Sequence, residues 1–206
     1  MKTARLGDLV DITIGRTPSR SDDSLWDKNK STGNVWLSIA DMPTSGNRRI
    51  SNSKEYISDV AARSFAIVPK GTLLVSFKLT LGRLAYADID LRTNEAIAAL
   101  RNDEKAVLNE YLYHYLSYFD WSGYASADQK VKGFTLNKAK LAEIRVVYPE
   151  SLEDQRSTVT RLDAAFDKIA QAETLMKRNI ENVSFLQKSI LAKYLDSAND
   201  THTHTA

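Results

Sequence analysis

Basic side chains recur in short clusters along the chain, and their chemistry is that of nucleic-acid contact. A lysine or arginine can bind phosphate, and the guanidinium fork of arginine also fits the O6 and N7 atoms of guanine. The formal net charge is only +2, however, and residues 1–150 hold 21 Lys and Arg against 18 Asp and Glu. With so small an excess, any DNA binding must come from a local face, and a solvated surface is the simpler interpretation of any single pair. The clusters comprise Arg16, Arg20, Lys28 and Lys30, then Arg48 and Arg49, then Lys130 and Lys132.

The residue types that most catalytic mechanisms require are absent. The chain contains no cysteine, which excludes disulfides, thiolate zinc sites and cysteine nucleophiles. Only His114 lies outside the last five residues, and its place in a Tyr-rich helical segment favours a packing or surface role. The sequence has no GxxxxGK[ST] or GxGxxG loop for nucleotide phosphates and no polar-Pro-Pro-aromatic motif for amino methylation. We therefore expect no catalytic residue and no cofactor in this chain.

Two sets of residues have the chemistry to hold a metal ion. Asp88, Asp90 and Glu95 could surround Mg²⁺ as in a nuclease, but no lysine lies in a matching strand, and Asp-Ile-Asp between two strands is more typical of a turn. His202 and His204 could hold a metal weakly, but residues 197–206 are predicted to be a disordered tail. The sequence therefore predicts no metal site.

The composition of the chain changes at Pro149. Before it, strand-like segments alternate with loops that contain Gly, Pro and Asn, and after it neither Gly nor Pro occurs. Residues 1–149 are therefore predicted to form one α+β domain with a mixed sheet. Its predicted strands are residues 10–14, 35–39, 73–77, 84–87, 97–100 and 144–148, and its helices are residues 109–119 and 136–142, the second capped near Asn137.

Residues 150–196 are predicted to form one long helix with a capping start at Ser151 and Asp154. From Val159 to Tyr194, residues spaced alternately by three and four form a series in which nine of eleven positions are apolar or aromatic, as in a coiled-coil seam. A helix of roughly 65 Å is too long to cover this stripe by folding back on its own domain. It needs a partner, most simply an identical chain packed antiparallel. The seam residues expected at that interface are Leu162, Phe166, Ile169, Met176, Ile180, Val183 and Ile190.

The sequence also predicts the compartment. No apolar run reaches the ~18 residues of a membrane-spanning helix, and the first ten residues lack the apolar core of a signal peptide. The absence of cysteine suits a reducing compartment. We expect a soluble protein of the bacterial or archaeal cytoplasm.

Four stretches of the sequence, taken in order, carry a family resemblance. Residues 6–18 read LGDLVDITIGRTP, and residues 71–87 read GTLLVSFKLTLGRLAYA. Residues 132–136 read KGFTL ahead of the strand-like residues 144–149, and residues 150–191 place Asp-Gln before an Ile/Leu heptad that closes with Ser-Ile-Leu. Each stretch is weak alone, but their order and spacing resemble the specificity subunit of type I restriction–modification systems over nearly all of residues 5–195.

The sequence departs from that family at three points. Glu95 follows Asn94 where the family often has Gln, and Asp154 precedes Gln155 where Glu is usual. Family members usually carry two target-recognition domains and two helices, whereas this chain has one of each. The resemblance therefore implies a half-length specificity subunit, whose homodimer would rebuild two antiparallel helices between two DNA-reading domains.

The resemblance implies that loops read the DNA, because the strands form the scaffold of such a domain. Three groups of loop residues are candidates, although an ordinary surface role is the simpler interpretation of each residue taken singly. Asn94 has the amide geometry for adenine N6 and N7, and the third group is assigned to phosphate contact. The groups are Arg16, Thr17, Ser19 and Arg20; then Lys78, Thr80, Arg83, Arg92 and Asn94; then Lys130, Lys132 and Thr135.

The resemblance also implies the partners. A specificity subunit catalyses nothing; it binds double-stranded DNA and docks methyltransferase subunits, which bind S-adenosylmethionine and flip the adenine that they methylate. A restriction subunit is a further partner of that assembly. A two-fold dimer would read a bipartite, palindromic target with a gap set by the helix pair. The alternative is a coiled-coil adaptor whose globular head binds protein rather than DNA, which the small charge excess supports.

Overall fold

The computed structural model describes residues 1–44, 48–125 and 134–202, and for residues 134–135 and 195–202 it describes the backbone only. The chain divides into two compact units, residues 1–159 and residues 160–206. Strands and helices are both present, and the sheets contain parallel and antiparallel pairs, which confirms the predicted α+β class. Across the described ranges, none of the helices has the length and apolar character that crossing a membrane requires.

Twelve strands, six α-helices and two short 3₁₀ turns are described in these ranges. The strands are β1 (Lys2–Arg5), β2 (Asp11–Ile14), β3 (Val35–Leu37), β4 (Arg49–Ile50), β5 (Glu55–Tyr56), β6 (Leu73–Ser76), β7 (Lys78–Leu79), β8 (Leu84–Ala87), β9 (Arg92–Thr93), β10 (Ile97–Arg101), β11 (Phe134–Thr135) and β12 (Arg145–Tyr148). The helices are α1 (Leu6–Leu9), α2 (Asp59–Ala62), α3 (Asn109–Ser117), α4 (Trp121–Ala125), α5 (Lys138–Ala142) and α6 (Leu152–His202), and the 3₁₀ turns are Asp23–Leu25 and Ile39–Asp41.

A five-stranded sheet lies at the centre of the first unit, in the order β2-β10-β6-β8-β4. Its neighbours are antiparallel except β4 and β8, which run parallel. On one face, Leu73 and Val75 of β6 pack with the apolar sides of α3 and α5. On the other, Leu74 of β6 and Ile97 of β10 pack against β3. Because both faces are covered, the sequences of β6 and β10 are mostly continuous apolar runs and do not alternate between apolar and polar residues.

Three smaller sheets are also described in the first unit. β1 pairs with β12, β3 lies between β5 and β9, and β7 pairs with β11. Most of these strands are two or three residues long, and strands this short have no hydrophobic period that a sequence could show. For this reason β7 was not predicted: residues 78–83 were expected to be a plain connection between two strands, but they contain β7.

Several predicted elements are confirmed. β8 has its predicted bounds, and α3 covers most of the helix expected at residues 109–119. Asn137 caps α5 as expected, since its side-chain oxygen accepts a hydrogen bond from the Lys140 backbone N–H at 2.8 Å. Ser151 likewise caps α6, accepting from the Asp154 N–H at 3.3 Å. These are local signals, complete within one turn of helix.

The far end of α6 differs from the prediction. The apolar series stops at Tyr194, and residues 197–206 were expected to be a disordered tail, but α6 is continuous to His202. Residues 195–202 contain neither Gly nor Pro, so nothing in that segment breaks the helix where its apolar stripe ends. Residues 203–206 lie outside the described residues.

Gln155 in the first turns of α6 is fully buried in the first unit. Its side-chain oxygen accepts from the Leu108 N–H at 2.9 Å. Its amide nitrogen donates to the carbonyls of Ala106 at 2.9 Å and Pro149 at 2.8 Å. One amide thus bonds to three backbone groups, two from residues 106–108 and one from Pro149. This explains why Gln follows Asp at the start of the long helix.

Candidate nucleic-acid interface

The first two groups of predicted loop residues meet at one exposed carboxylate, Glu95. The hydroxyl of Thr17 donates a hydrogen bond to Glu95 across a sequence separation of 78. The charges of Lys78 and Arg20 also act on this carboxylate. The sheet order explains the meeting, because β10 lies between β2 and β6, and the loops that follow these two strands therefore leave the sheet beside the residues that precede β10.

Partial burial of Glu95 would by itself raise the pKa of its carboxyl group. The hydrogen bond from Thr17 and the positive charges of Lys78 and Arg20 outweigh this effect, and the pKa of Glu95 lies below its ordinary value. The carboxylate is therefore ionised at neutral pH. The surface that these loops form presents cations, hydroxyls and one anion together.

The first loop is held against Thr93, the last residue of β9, by a close approach at Gly15. A Cβ atom at this position would lie 1.9 Å from the Thr93 carbonyl oxygen, so only glycine fits. The Arg16 N–H donates to that same carbonyl at 2.9 Å, and the Trp36 indole donates to the Arg16 carbonyl at 3.0 Å. These contacts fix the direction in which the loop leaves β2.

The second loop closes on Ser76, the last residue of β6. The Ser76 hydroxyl donates to the Thr80 carbonyl at 2.6 Å and accepts from the Arg83 N–H at 2.9 Å. The Ser76 carbonyl also accepts from the Gly82 N–H at 2.9 Å. A single buried serine therefore organises the turn, with Thr80 exposed and Lys78 half-buried.

The third group adjoins the second through the ladder of β7 and β11. Thr135 is the partner of Lys78 in that antiparallel register, and its position is described for the backbone only. Lys130 and Lys132 lie outside the described residues. Their predicted contact with phosphate stays a prediction.

Arg20 has its guanidinium engaged within the protein. It forms a bidentate ion pair with Glu55, whose second contact measures 3.0 Å. The guanidinium also lies 4.0 Å from the ring centroid of Trp26 and 5.0 Å from that of Trp36. The pair raises the pKa of Arg20 further above its ordinary value. Arg20 would have to exchange Glu55 for a base or a phosphate in order to bind DNA.

Arg16 and Ser19, the other members of the first loop, are exposed. The Arg16 guanidinium lies 5.7 Å from the centroid of the Phe65 ring. The Ser19 hydroxyl is 2.9 Å from that of Ser21. Both side chains can be reached from outside the first unit.

Three residues of the second group serve the scaffold in this structure. Arg83 donates to the carbonyls of the 3₁₀ turn, 3.1 Å from Ile39 O and 3.4 Å from Met42 O. Arg92 is half-buried and donates to the Asn34 side chain at 3.2 Å, and burial lowers the pKa of its guanidinium. Asn94 is buried, and its side-chain oxygen accepts from the Ala96 N–H at 3.1 Å. Each of the three therefore has a polar atom engaged within the protein, and their predicted contact with DNA stays a prediction.

The acidic residues that could have surrounded Mg²⁺ have separate partners. Asp88 pairs with Arg49 at 3.4 Å, and Asp90 accepts from a backbone N–H. His114 is buried in α3. Within residues 1–44, 48–125 and 134–202, no three His, Asp or Glu side chains gather as a metal site requires.

Sequence reasoning missed the two carboxylates that bond to the first loop, Glu55 to Arg20 and Glu95 to Thr17. The sequence offered Glu95 as a possible Mg²⁺ ligand and as a departure from the family pattern directly after Asn94, but not as a member of a DNA-binding surface. Glu55 gave no signal, because its partner Arg20 is 35 positions away.

The predicted seam of α6 is largely exposed in the second unit, except Leu162, which is half-buried. Ile180, at its middle, is 70% exposed. Other apolar side chains of this unit, among them Leu175 and Leu186, are exposed outside the seam. The exposed members of the predicted seam are Phe166, Ile169, Met176, Ile180, Val183 and Ile190.

Known proteins similar to this chain include specificity subunits of type I restriction–modification systems. The family described as the type I restriction modification DNA specificity domain matches residues 1–182. The type I restriction enzyme MjaIX specificity subunit of Methanocaldococcus jannaschii is 26% identical over 189 residues, which is 87% of this chain and 41% of that protein.

Solved structures show the same fold. A chain from a study of complex assembly and conformational transition of the type I R-M system matches with a TM-score of 0.73 at 22% identity, over 93% of this chain and 45% of that one. The HsdS subunit from Thermoanaerobacter tengcongensis matches with a TM-score of 0.65 at 22% identity, over 82% of this chain and 38% of that one. The S subunit from M. genitalium matches with a TM-score of 0.57 at 12% identity, over 87% and 42%. The chain therefore spans less than half the length of each of these relatives.

Proposed function

Because the chain belongs to the type I restriction–modification DNA specificity family, we propose that it recognises a DNA sequence for such a system and catalyses no reaction itself. The observation that carries this proposal is the convergence of two loops at Glu95. We call the exposed or half-exposed members of this group the reading surface: Arg16, Thr17, Lys78, Thr80 and Glu95.

Each member of the reading surface matches a feature of a DNA groove. The Arg16 fork fits guanine O6 and N7 or a phosphate, and Lys78 fits a phosphate. The two threonine hydroxyls can donate to or accept from base edges. The Glu95 carboxylate accepts from the amino group of cytosine and repels phosphates, so it adds selectivity rather than affinity. We assign Arg83, Arg92 and Asn94 to the scaffold that holds these loops.

We further propose that two copies of the chain pair through the seam of α6, in antiparallel orientation. Support comes from the exposed stripe, in which Met176, Ile180 and Val183 are all more than half exposed. Burying such side chains stabilises association by about 1.5–3 kcal/mol each. An antiparallel pair has two-fold symmetry, so its DNA target would be two inverted half-sites separated by a gap.

The remaining steps would belong to partner subunits. Methyltransferase subunits would bind S-adenosylmethionine, flip the target adenine and methylate it, and a restriction subunit would join the same assembly in the cytoplasm. This chain would contribute position and sequence choice. Its residues would bind the DNA target and position the complex there, while the methyltransferase subunits carry out the methylation.

Selection of bound duplexes from a random pool by the full chain, with and without methyltransferase subunits, tests the proposal. The expected result is an enriched motif of two inverted half-sites with a constant gap, bound with an affinity that falls steeply as salt rises. One unsplit, asymmetric motif would reject the two-fold arrangement. No enrichment and no dependence on salt, together with a tight protein partner, would favour the adaptor alternative.

Replacing Glu95 with glutamine is expected to strengthen binding to non-specific duplex DNA about fivefold. The substitution removes one negative charge from the reading surface, and repulsion between that charge and a phosphate amounts to about 1 kcal/mol at contact distance in water. The same variant should lose discrimination at one base pair of the selected motif. Fluorescence anisotropy with selected and scrambled duplexes measures both effects.

The matched control for Glu95→Gln is Glu110→Gln, which removes an exposed charge from α3. We expect the control to leave both affinities within twofold. Equal gains for the two variants would indicate a general charge effect and would exclude Glu95 from the reading surface.

A further inference from the structure

The backbone at Leu79, which lies between Lys78 and Thr80 of the reading surface, has an unusual conformation. Leu79 has φ +63°, in the left-handed region that leucine rarely adopts. The Thr80 N–H donates to the Lys78 carbonyl at 2.7 Å, which closes a three-residue γ-turn around Leu79. The leucine side chain is nevertheless 66% exposed. The fold thus holds a strained residue in place and gains no core packing from it.

The surroundings of Leu79 hold this conformation from both sides. Ser76 binds the Thr80 carbonyl, as described above. Further along the turn, the backbone of Gly82 lies so close to the indole of Trp121 that a Cβ atom would be 2.4 Å from the ring. On the other side, Leu79 is paired with Phe134 in the β7–β11 ladder. A strained residue that is held so firmly and left exposed is typical of a functional position.

We propose that Leu79 is a specificity-determining residue that contacts the C5-methyl group of a thymine in the major groove. This inference rests on the proposed function. The two-stranded antiparallel pair of β7 and β11 is the kind of ribbon that the major groove admits, and apolar side chains there recognise the thymine methyl. Lys78 and Thr80, its neighbours on either side, can bind phosphate and base edges, so Leu79 would add an apolar contact beside the polar reading surface.

Substitution of uracil for thymine in the selected duplex tests the contact directly, because uracil lacks only the methyl group. Each thymine of the selected motif is replaced in turn, and binding of the full-length chain is measured. We expect one replacement per half-site to weaken wild-type binding about fourfold, the effect of one buried methyl. The Leu79→Ala variant should bind thymine and uracil duplexes equally, and Leu79→Met should keep part of the discrimination.

A second measurement separates this role from a structural one. Glycine adopts positive φ without strain, so Leu79→Gly should leave the melting temperature equal to or above that of the wild type. The same variant should bind the selected duplex about tenfold more weakly. A structural role for Leu79 would instead lower stability and binding together.

The outcomes distinguish this inference from the function on which it rests. If the wild-type chain selects no sequence, the proposed function fails. If it selects a motif but no uracil replacement matters, or if Leu79→Ala keeps the same thymine preference, the Leu79 inference is overturned and the proposed function stands. If Leu79→Ala weakens binding without any uracil effect and abolishes a DNA bend, Leu79 is a wedge in the minor groove, which also overturns the thymine contact.

Discussion

Replacing Gln155 with glutamate is expected to lower the free energy of unfolding of residues 1–159 by about 3–5 kcal/mol at neutral pH. The buried amide donates two hydrogen bonds, to the carbonyls of Ala106 and Pro149. A glutamate would direct a charged oxygen at both carbonyls, which leaves a buried charge without a partner. Denaturant unfolding followed by tryptophan fluorescence measures the effect, because all three tryptophans lie in residues 1–159.

The pH dependence of this variant provides an independent check. Burial beside carbonyl oxygens would raise the pKa of the new carboxyl group in the folded state above its unfolded value of about 4.3. The destabilisation is therefore largest at neutral pH and shrinks as the pH falls toward that value. Gln171→Glu, an exposed change of the same charge in α6, should cost less than about 0.5 kcal/mol. Equal losses for the two variants at pH 7 would show that the three hydrogen bonds of Gln155 do not matter.

Replacing Ile180 and Val183 together with aspartate is expected to convert the chain from dimer to monomer. In an antiparallel pair the two substitutions affect four seam positions, and the lost apolar burial amounts to roughly 6–12 kcal/mol. A dimer of micromolar affinity has only about 8 kcal/mol of binding free energy. Sedimentation at ten micromolar chain should report a fall from twice the chain mass to the single mass of 23.1 kDa.

The matched control adds the same two charges outside the seam, at Asn182 and Ser189. Both residues are exposed on α6. Neither belongs to the series of positions, spaced by three and four from Val159 to Tyr194, that forms the seam. The Asn182→Asp, Ser189→Asp variant should remain dimeric and equally helical by circular dichroism. An unchanged mass for the Ile180→Asp, Val183→Asp variant, or a monomeric wild type at high micromolar concentration, would contradict the pairing.

Features that depend on neighbouring residues were predictable from the sequence. The apolar run of β8, the Asn137 cap of α5 and the Ser151 cap of α6 each depend on signals within four residues of one another. The long terminal helix followed from a repeat without Gly or Pro. These predictions hold because propensity, capping and hydrophobic periodicity act locally.

The roles of individual polar residues were less predictable. Arg20 and Asn94 have side chains suited to bases, and the sequence supported both as DNA contacts. In the folded chain, Arg20 is paired with Glu55, and Asn94 is buried against backbone. Residue type alone does not show whether a polar group faces water or completes the scaffold.

The α+β class, the long helix with its apolar seam and the ordered stretches typical of the family could all be derived from the amino-acid sequence. The fold was needed to see that two loops converge at Glu95, that the Gln155 amide bonds to two backbone segments, and that Leu79 is held exposed in a strained turn. The physical reason is distance along the chain. Helices and caps are set by residues one turn apart, whereas Thr17 meets Glu95 across 78 positions because the order of strands in the sheet brings them together.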